Sequence, residues 1–212
     1  MPGRVIAIDG PAASGKSSVS RGVAAALGFL FVSSGHFYRA MAWGALRDAI
    51  TGTEEAAVKR WIVAKKLTLT ESPDGITLSL DGVDATPHLS DPAVAAMVSK
   101  LAAFPTVRDT VNAHLRGLAK SHDLVMEGRD IGSVVFPQTR WKFYLDASPE
   151  ERARRRAKEG AVDSVAKRDR LDMTRATAPL TIPKGATVID TTHLDLKGVI
   201  AAVLCHLQEL TS

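Results

Sequence analysis

The sequence predicts an α/β protein built on a doubly wound, parallel five-stranded sheet with a small antiparallel β insertion. Three observations predict it. Short, wholly apolar segments alternate with helical ones along the chain, as in parallel sheets covered on both faces. The first of these segments runs through a glycine-rich turn straight into a helix. One other stretch alternates apolar and polar residues around a hairpin turn, the texture of a sheet with one wet face. The 212 residues suit one domain with a modest insertion, at about 150 residues per domain.

Val5-Ile6-Ala7-Ile8 reads as a strand buried on both faces, stopped by Asp9-Gly10-Pro11. Lys16 to Leu27 carries apolar residues at helical spacing, and Gly28 suits the position after the helix. Phe29 to Val32 reads as the second strand. Phe37 to Ile50 and Glu54 to Lys65 read as helices, with Thr51 or Thr53 as a cap for the second. Leu67 to Thr70 and Ile76 to Leu80 alternate in polarity around Pro73-Asp74-Gly75, a hairpin signal, and Val83 opens a third short strand. Asp91-Pro92 resembles a cap followed by proline at the first helical position, so helices are expected over Ala93–Ala103 and Val107–Lys120. Leu124-Val125-Met126, Trp141 to Leu145 and Val188-Ile189 complete the parallel strands. Ser148-Pro149-Glu150-Glu151 forms a capping box ahead of the next helix, and Leu194 to Leu210 closes the chain as a helix. The division expected from this pattern is a core of residues 1–66 and 105–212 and an insertion of residues 67–104.

Composition narrows the classes. A chain 45% hydrophobic and 24% charged is no disordered tail, collagen or disulfide scaffold. Its one cysteine, Cys205, forms no intrachain bridge and reads as core on the last helix. Met1-Pro2-Gly3-Arg4 lacks a secretory leader pattern, and no apolar run has the length of a membrane span. A cytoplasmic protein is expected. Six histidines lie scattered without ligand spacing, so no protein-built metal site is expected. Trp43, Trp61 and Trp141 read as packing residues. Net charge is +4, and nine of the 27 basic residues crowd into one stretch: Arg152, Arg154, Arg155, Arg156, Lys158, Lys167, Arg168, Arg170 and Arg175. Such a run suits a phosphorylated ligand or a nucleic acid, or simply a solvated helix face. Aromatics are sparse and do not interleave with it, which weighs against single-strand binding.

Gly10-Pro11-Ala12-Ala13-Ser14-Gly15-Lys16-Ser17 matches G-x-x-x-x-G-K-[ST] in full. The glycines let the backbone wrap a phosphate chain, and successive N–H groups form an anion nest at the positive end of the next helix. Lys16 would reach the β- and γ-phosphates, and Ser17 would offer its hydroxyl to Mg²⁺. Ser33 to Ala40 and Glu127-Gly128-Arg129-Asp130-Ile131-Gly132 each follow a parallel strand, at the sheet end where ligands bind in such folds. From residues alone, Arg39 reads first as a solvated helix arginine, and Glu127 to Gly132 equally as a salt-bridged turn.

The chain resembles the bacterial cytidylate kinases, among the nucleoside-monophosphate kinases of the P-loop class. Five blocks carry the likeness: Ile8 through Ser18; Ser33 through Ala40; Ala102-Ala103-Phe104-Pro105 with Val107-Arg108; Gly128 through Gly132 with Val134-Val135-Phe136-Pro137; and Arg175 through Leu180. The resemblance implies transfer of the ATP γ-phosphate to CMP or dCMP, with Mg²⁺ and a short lid at about residues 157–167. Gly10, Pro11, Ala12, Ala13, Ser14, Gly15, Lys16, Ser17 and Ser18 would hold ATP. Arg39, Arg129 and Arg175 would grip the acceptor phosphate. Ser99, Arg108 and Asp130 would read the cytosine edge, while Ser34 and Asp172 would make further acceptor contacts. Arg168 would approach the phosphates from the lid, so that Lys16, Arg129, Arg168 and Arg175 form the catalytic set. The implied partners are these small molecules, with no nucleic acid and no membrane, and the implied state is a monomer. Three departures stand out: Ser33 where the family usually has aspartate, Ser18 for threonine, and a shorter stretch between Arg156 and Arg168. The last predicts some ATP hydrolysis without acceptor, because a short lid excludes water less well. Competing readings are a kinase for UMP, AMP or shikimate, and a P-loop switch that binds nucleic acid.

Overall fold

The computed structural model describes residues 3–51, 54–72, 75–158, 165–174 and 177–209. The chain forms two compact units. The first joins residues 1–32 to residues 116–212, and the second holds residues 33–115. Residues 33–66 and 105–115 fall in the unit that holds the antiparallel sheet.

The first unit is built on five parallel strands: β1 (Val5–Asp9), β2 (Leu30–Ser33), β6 (Leu124–Gly128), β7 (Trp141–Asp146) and β8 (Thr187–Asp190). Their order across the sheet is β2-β6-β1-β7-β8. Every residue of β1 and β6 is buried, which explains their unbroken apolar runs. The pairing of Val5 with Leu124 and of Ile6 with Trp141 sets the register. Helices α1 (Lys16–Leu27) and α8 (Leu196–Glu209) pack together. Ile6, Ile8, Val19, Val23, Phe143, Val199 and Val203 share one core cluster. A Cβ at Gly22 would lie 2.3 Å from Ile200 Cδ1, so a side chain there would force Ile200 to shift. α1 ends on Gly28 at φ 66° as expected, with its N–H bonded to the Ala24 carbonyl. Cys205 overturns the core expectation: it is exposed. Val199, Val203 and Leu207, spaced four apart, take the buried face of α8, and a residue two beyond Val203 points the other way.

Helix α6 (Pro149–Lys158) starts as the capping box demands: the Glu151 N–H donates to Ser148 Oγ at 3.2 Å. The reciprocal half is absent, because the Ser148 N–H donates to Thr192 Oγ1 and the Glu151 carboxylate takes Arg154 and Arg155. Helix α7 (Val165–Met173) follows, and the segment Ile131–Val135 after β6 forms a single π turn. Residues 159–164, the centre of the expected lid, lie outside the described residues.

The second unit holds α2 (Ser34–Arg47), α3 (Glu55–Val63), the antiparallel strands β3 (Leu67–Ser72), β4 (Gly75–Leu80) and β5 (Val83–Asp84), α4 (Pro92–Leu101) and most of α5 (Pro105–Leu118). The hairpin register pairs Leu67 with Leu80 and Ser72 with Gly75. Its turn residues Pro73 and Asp74 lie outside the described residues, as does Thr53. The residue capping α3 is Glu54 rather than Thr51. α2 packs on α4 and β4, burying Phe37, Met41, Leu78, Leu80, Met97 and Leu101. Arg47, Asp48, Lys65 and Asp81 form an ion-pair network, and the donors around Asp48 hold its carboxyl well below the usual range. Trp61 is buried and donates to Asp48 Oδ2 at 2.9 Å. Among the described residues no helix is long and apolar enough to cross a membrane.

Candidate active site

The end of β1 delivers Asp9, fully buried, into the loop Gly10–Gly15. Gly10 sits at φ 151°, and a Cβ there would lie 2.1 Å from the Leu145 carbonyl oxygen. Gly15 at φ 88° ends the loop, and α1 begins at Lys16. This is the strand–loop–helix context the motif requires. Lys16 is 4% exposed. Its ammonium donates to the Pro11 carbonyl and lies 3.3 Å from Ser14 Oγ, folded back over the loop. Burial, aided by the nearby Arg129 charge, pulls its pKa down to about 7.

Behind the loop stand two acids. The Asp9 carboxylate accepts from the backbone N–H groups of Ile131 at 2.8 Å and Gly132 at 2.7 Å. Burial raises its pKa to about 6 against the opposing pull of those two amides. Glu127, at the end of β6, accepts from Ser17 Oγ at 3.2 Å. Asp9 was legible only as the residue ahead of the first glycine. Its tie to Ile131 spans 122 positions.

Three arginines of the basic stretch are tied to other groups of the protein. Arg152 pairs with Asp169 of α7 and lies 3.3 Å from the Ala12 carbonyl. Arg155 donates to Thr191 Oγ1 and to the Thr191 carbonyl, and Thr191 Oγ1 lies 3.2 Å from the Ser14 carbonyl. Arg154 pairs with Glu151 on the surface. Two of these arginines therefore brace the glycine loop. The sequence pattern held no sign of which ones.

The remaining site residues fall in both units. In the first, Arg129 Nε donates to Asp172 Oδ2 at 2.8 Å, joining the end of β6 to α7. Asp130 is 4% exposed and precedes the π turn. Arg168 lies on α7 with its side chain outside the described set, and Arg175 is outside the described residues. In the second unit, Ser34 is buried at the first position of α2. Arg39 Nη1 donates to the Leu89 carbonyl at 2.7 Å. Ser99 is half-buried on α4. Arg108 is 2% exposed on α5, donating to the Ala102 carbonyl, with its guanidinium 5.5 Å from the Tyr38 ring centre.

A parallel sheet, with a complete phosphate loop between its central strand and the first helix, defines a P-loop nucleotide-binding protein. Residues 6–209 match the profile described as Cytidylate kinase, and the chain belongs to that family. It is 41% identical to a cytidylate kinase of Caldanaerobacter subterraneus over 93% of this chain and 92% of that one. A cytidylate kinase of Symbiobacterium thermophilum is 41% identical over 95% of each chain. One from Pelotomaculum thermopropionicum is 38% identical over 94% of this chain and 93% of that one.

Proposed function

We propose that the chain transfers the γ-phosphate of ATP to CMP, and to dCMP, giving the nucleoside diphosphate and ADP. The observation that carries this reading is the complete Gly10–Ser17 loop at the head of α1, in a chain of this family over nearly its whole length. The loop amides hold the triphosphate. Lys16 leaves the Pro11 carbonyl for the incoming anion, which raises its pKa and holds it in the charged form. Arg39, Arg129 and Arg175 present the acceptor phosphate, and the Asp172 pairing keeps the Arg129 fork oriented. Asp172 also serves the sugar side, with Ser34 as a further acceptor contact, and Arg168 adds positive charge at the transferring group. No general base is needed, since the acceptor phosphate is already anionic and phosphoryl transfer rests on positioning and charge.

Ser99, Arg108 and Asp130 read the base. Cytosine carries an exocyclic amino donor where uracil has a carbonyl. A serine hydroxyl and an aspartate accept from it, and uracil leaves them unpaired at about 1–3 kcal/mol each. Ser17 and Glu127 offer hard oxygen donors that fit Mg²⁺. Among the described residues no cluster of three metal-ligating side chains exists, so the ion would be held chiefly by ATP itself. It would neutralise charge on the β- and γ-oxygens. The reading places the chain in the cytoplasm with its nucleotides, as a monomer.

An ADP-release assay with CMP, dCMP, UMP, AMP and shikimate tests this. CMP and dCMP should dominate. Comparable turnover of UMP would remove the cytosine assignment, and no acceptor-dependent release would remove the kinase reading.

A further inference from the structure

Asp169 is an anion beside an anion-binding loop. Unless its charge is answered, it works against a triphosphate. The structure shows how it is answered. Asp169 is 7% exposed. Its Oδ1 accepts from the Ala12 N–H at 3.0 Å. Its Oδ2 pairs with Arg152 Nη1, and the same nitrogen lies 3.3 Å from the Ala12 carbonyl. Arg152 is itself fixed, with Nε donating to the Ala147 carbonyl at 3.1 Å. One acid–base pair thus occupies both polar atoms of a single loop residue. Ala12 is 4% exposed and has no amide left to offer a phosphate.

We propose that Asp169 is a positioning residue for the phosphate loop: with Arg152 it grips both polar groups of Ala12 and fixes the loop in the shape that ATP requires. The next residue, Ala13, stands at φ 59°, a left-handed conformation that a residue with a Cβ seldom adopts. Two ties on Ala12, from α6 and α7, hold it there, and Thr191 on the Ser14 carbonyl supplies another. Ala12 then serves the loop's shape, while the amides from Ala13 onward face the ligand. The pairing also sets a division of labour on α7. Asp169 addresses the donor loop, and Asp172, three positions on, addresses Arg129.

The proposal rests on reading the loop as the ATP site, and the test separates the two. ATP and CMP affinities are measured by calorimetry, each nucleotide alone, for the parent, Asp169→Asn and Asp169→Ala, with melting temperatures alongside. Asn keeps an acceptor for the Ala12 N–H and loses the charge pair; Ala loses both. ATP affinity should fall in the order parent, Asn, Ala, by about tenfold or more for Ala, the scale of a buried hydrogen bond to a charged group. CMP affinity should stay within about twofold. In turnover the loss should appear in KM for ATP, with KM for CMP unchanged. ATP affinity within twofold of the parent in Asp169→Ala, or an equal loss for both nucleotides, overturns the proposal. If Asp169→Ala does not fold, Arg152→Gln carries the test, because it removes the pair and leaves the Ala12–Asp169 bond; it too must weaken ATP and spare CMP. A parent chain that binds no ATP at all would instead overturn the reading of the loop.

Discussion

Lys16 is where this chain sacrifices stability for function. An ammonium 4% exposed, bonded to a carbonyl and a hydroxyl, loses more to burial and to the Arg129 charge than the charges of Glu127, Asp9 and Asp169 restore. Its pKa of about 7 in the folded chain lies below the ordinary 10.5. The unfolded chain therefore binds the extra proton between pH 7 and 10.5, and the burial penalty is full below pH 7 and relieved above it. Lys16→Met should abolish phosphoryl transfer and raise the melting temperature at pH 6, by about 3 °C per kcal/mol relieved, and by less at pH 10. A lower melting temperature at pH 6 in calorimetry would contradict this. The same shift makes ATP binding take up a proton above pH 7. At pH 8.5, calorimetry in buffers of different ionisation enthalpy should show uptake approaching about one proton per ATP. Zero uptake would mean the lysine is already charged in the empty loop. Asp130, 4% exposed just ahead of the π turn, is a proposed base-reading acid. Asp130→Ala should raise KM for CMP at least about tenfold and leave KM for ATP within twofold. Equal changes in steady-state kinetics would remove it from the base site.

Among the elements, the α1–α8 pair depends on contact rather than chemistry. Gly22 lies under Ile200, so Gly22→Val should cost about 1–3 kcal/mol by overpacking. Urea unfolding should show a lower midpoint at unchanged slope. Most helices and strands were legible because their apolar spacing is their burial pattern: Val5 to Ile8 is continuous and wholly buried, and Leu67 to Leu80 alternates around a hairpin. The misses have local causes. α2 begins at Ser34, three residues before Phe37, because packing of the helix overrides the weak helix preference of Ser34-Gly35-His36. Cys205 has apolar sequence neighbours, but its angular position on α8 turns it to solvent.

For the whole molecule, the division into two units puts Ser34, Arg39, Ser99 and Arg108 in one and Lys16, Arg129, Asp130 and Asp172 in the other. Each has a buried apolar interior of its own. The short connection between Arg156 and Arg168 bears on the reaction as a whole. With ATP and Mg²⁺ but no acceptor, slow release of inorganic phosphate is expected. ATP that stays intact over many turnover times would show that water is kept out by other means. The phosphate loop and the α/β class followed from sequence alone, because both are local: an octapeptide with fixed backbone demands, and apolar runs whose length and period depend on near neighbours. Only the folded chain decided which polar groups meet. Asp9 reaches Ile131, Arg152 and Asp169 close on Ala12, and Thr191 lies under Ser14. Those partners are 122 to 177 positions apart, and no spacing rule within one segment encodes a contact that exists only once the sheet has assembled.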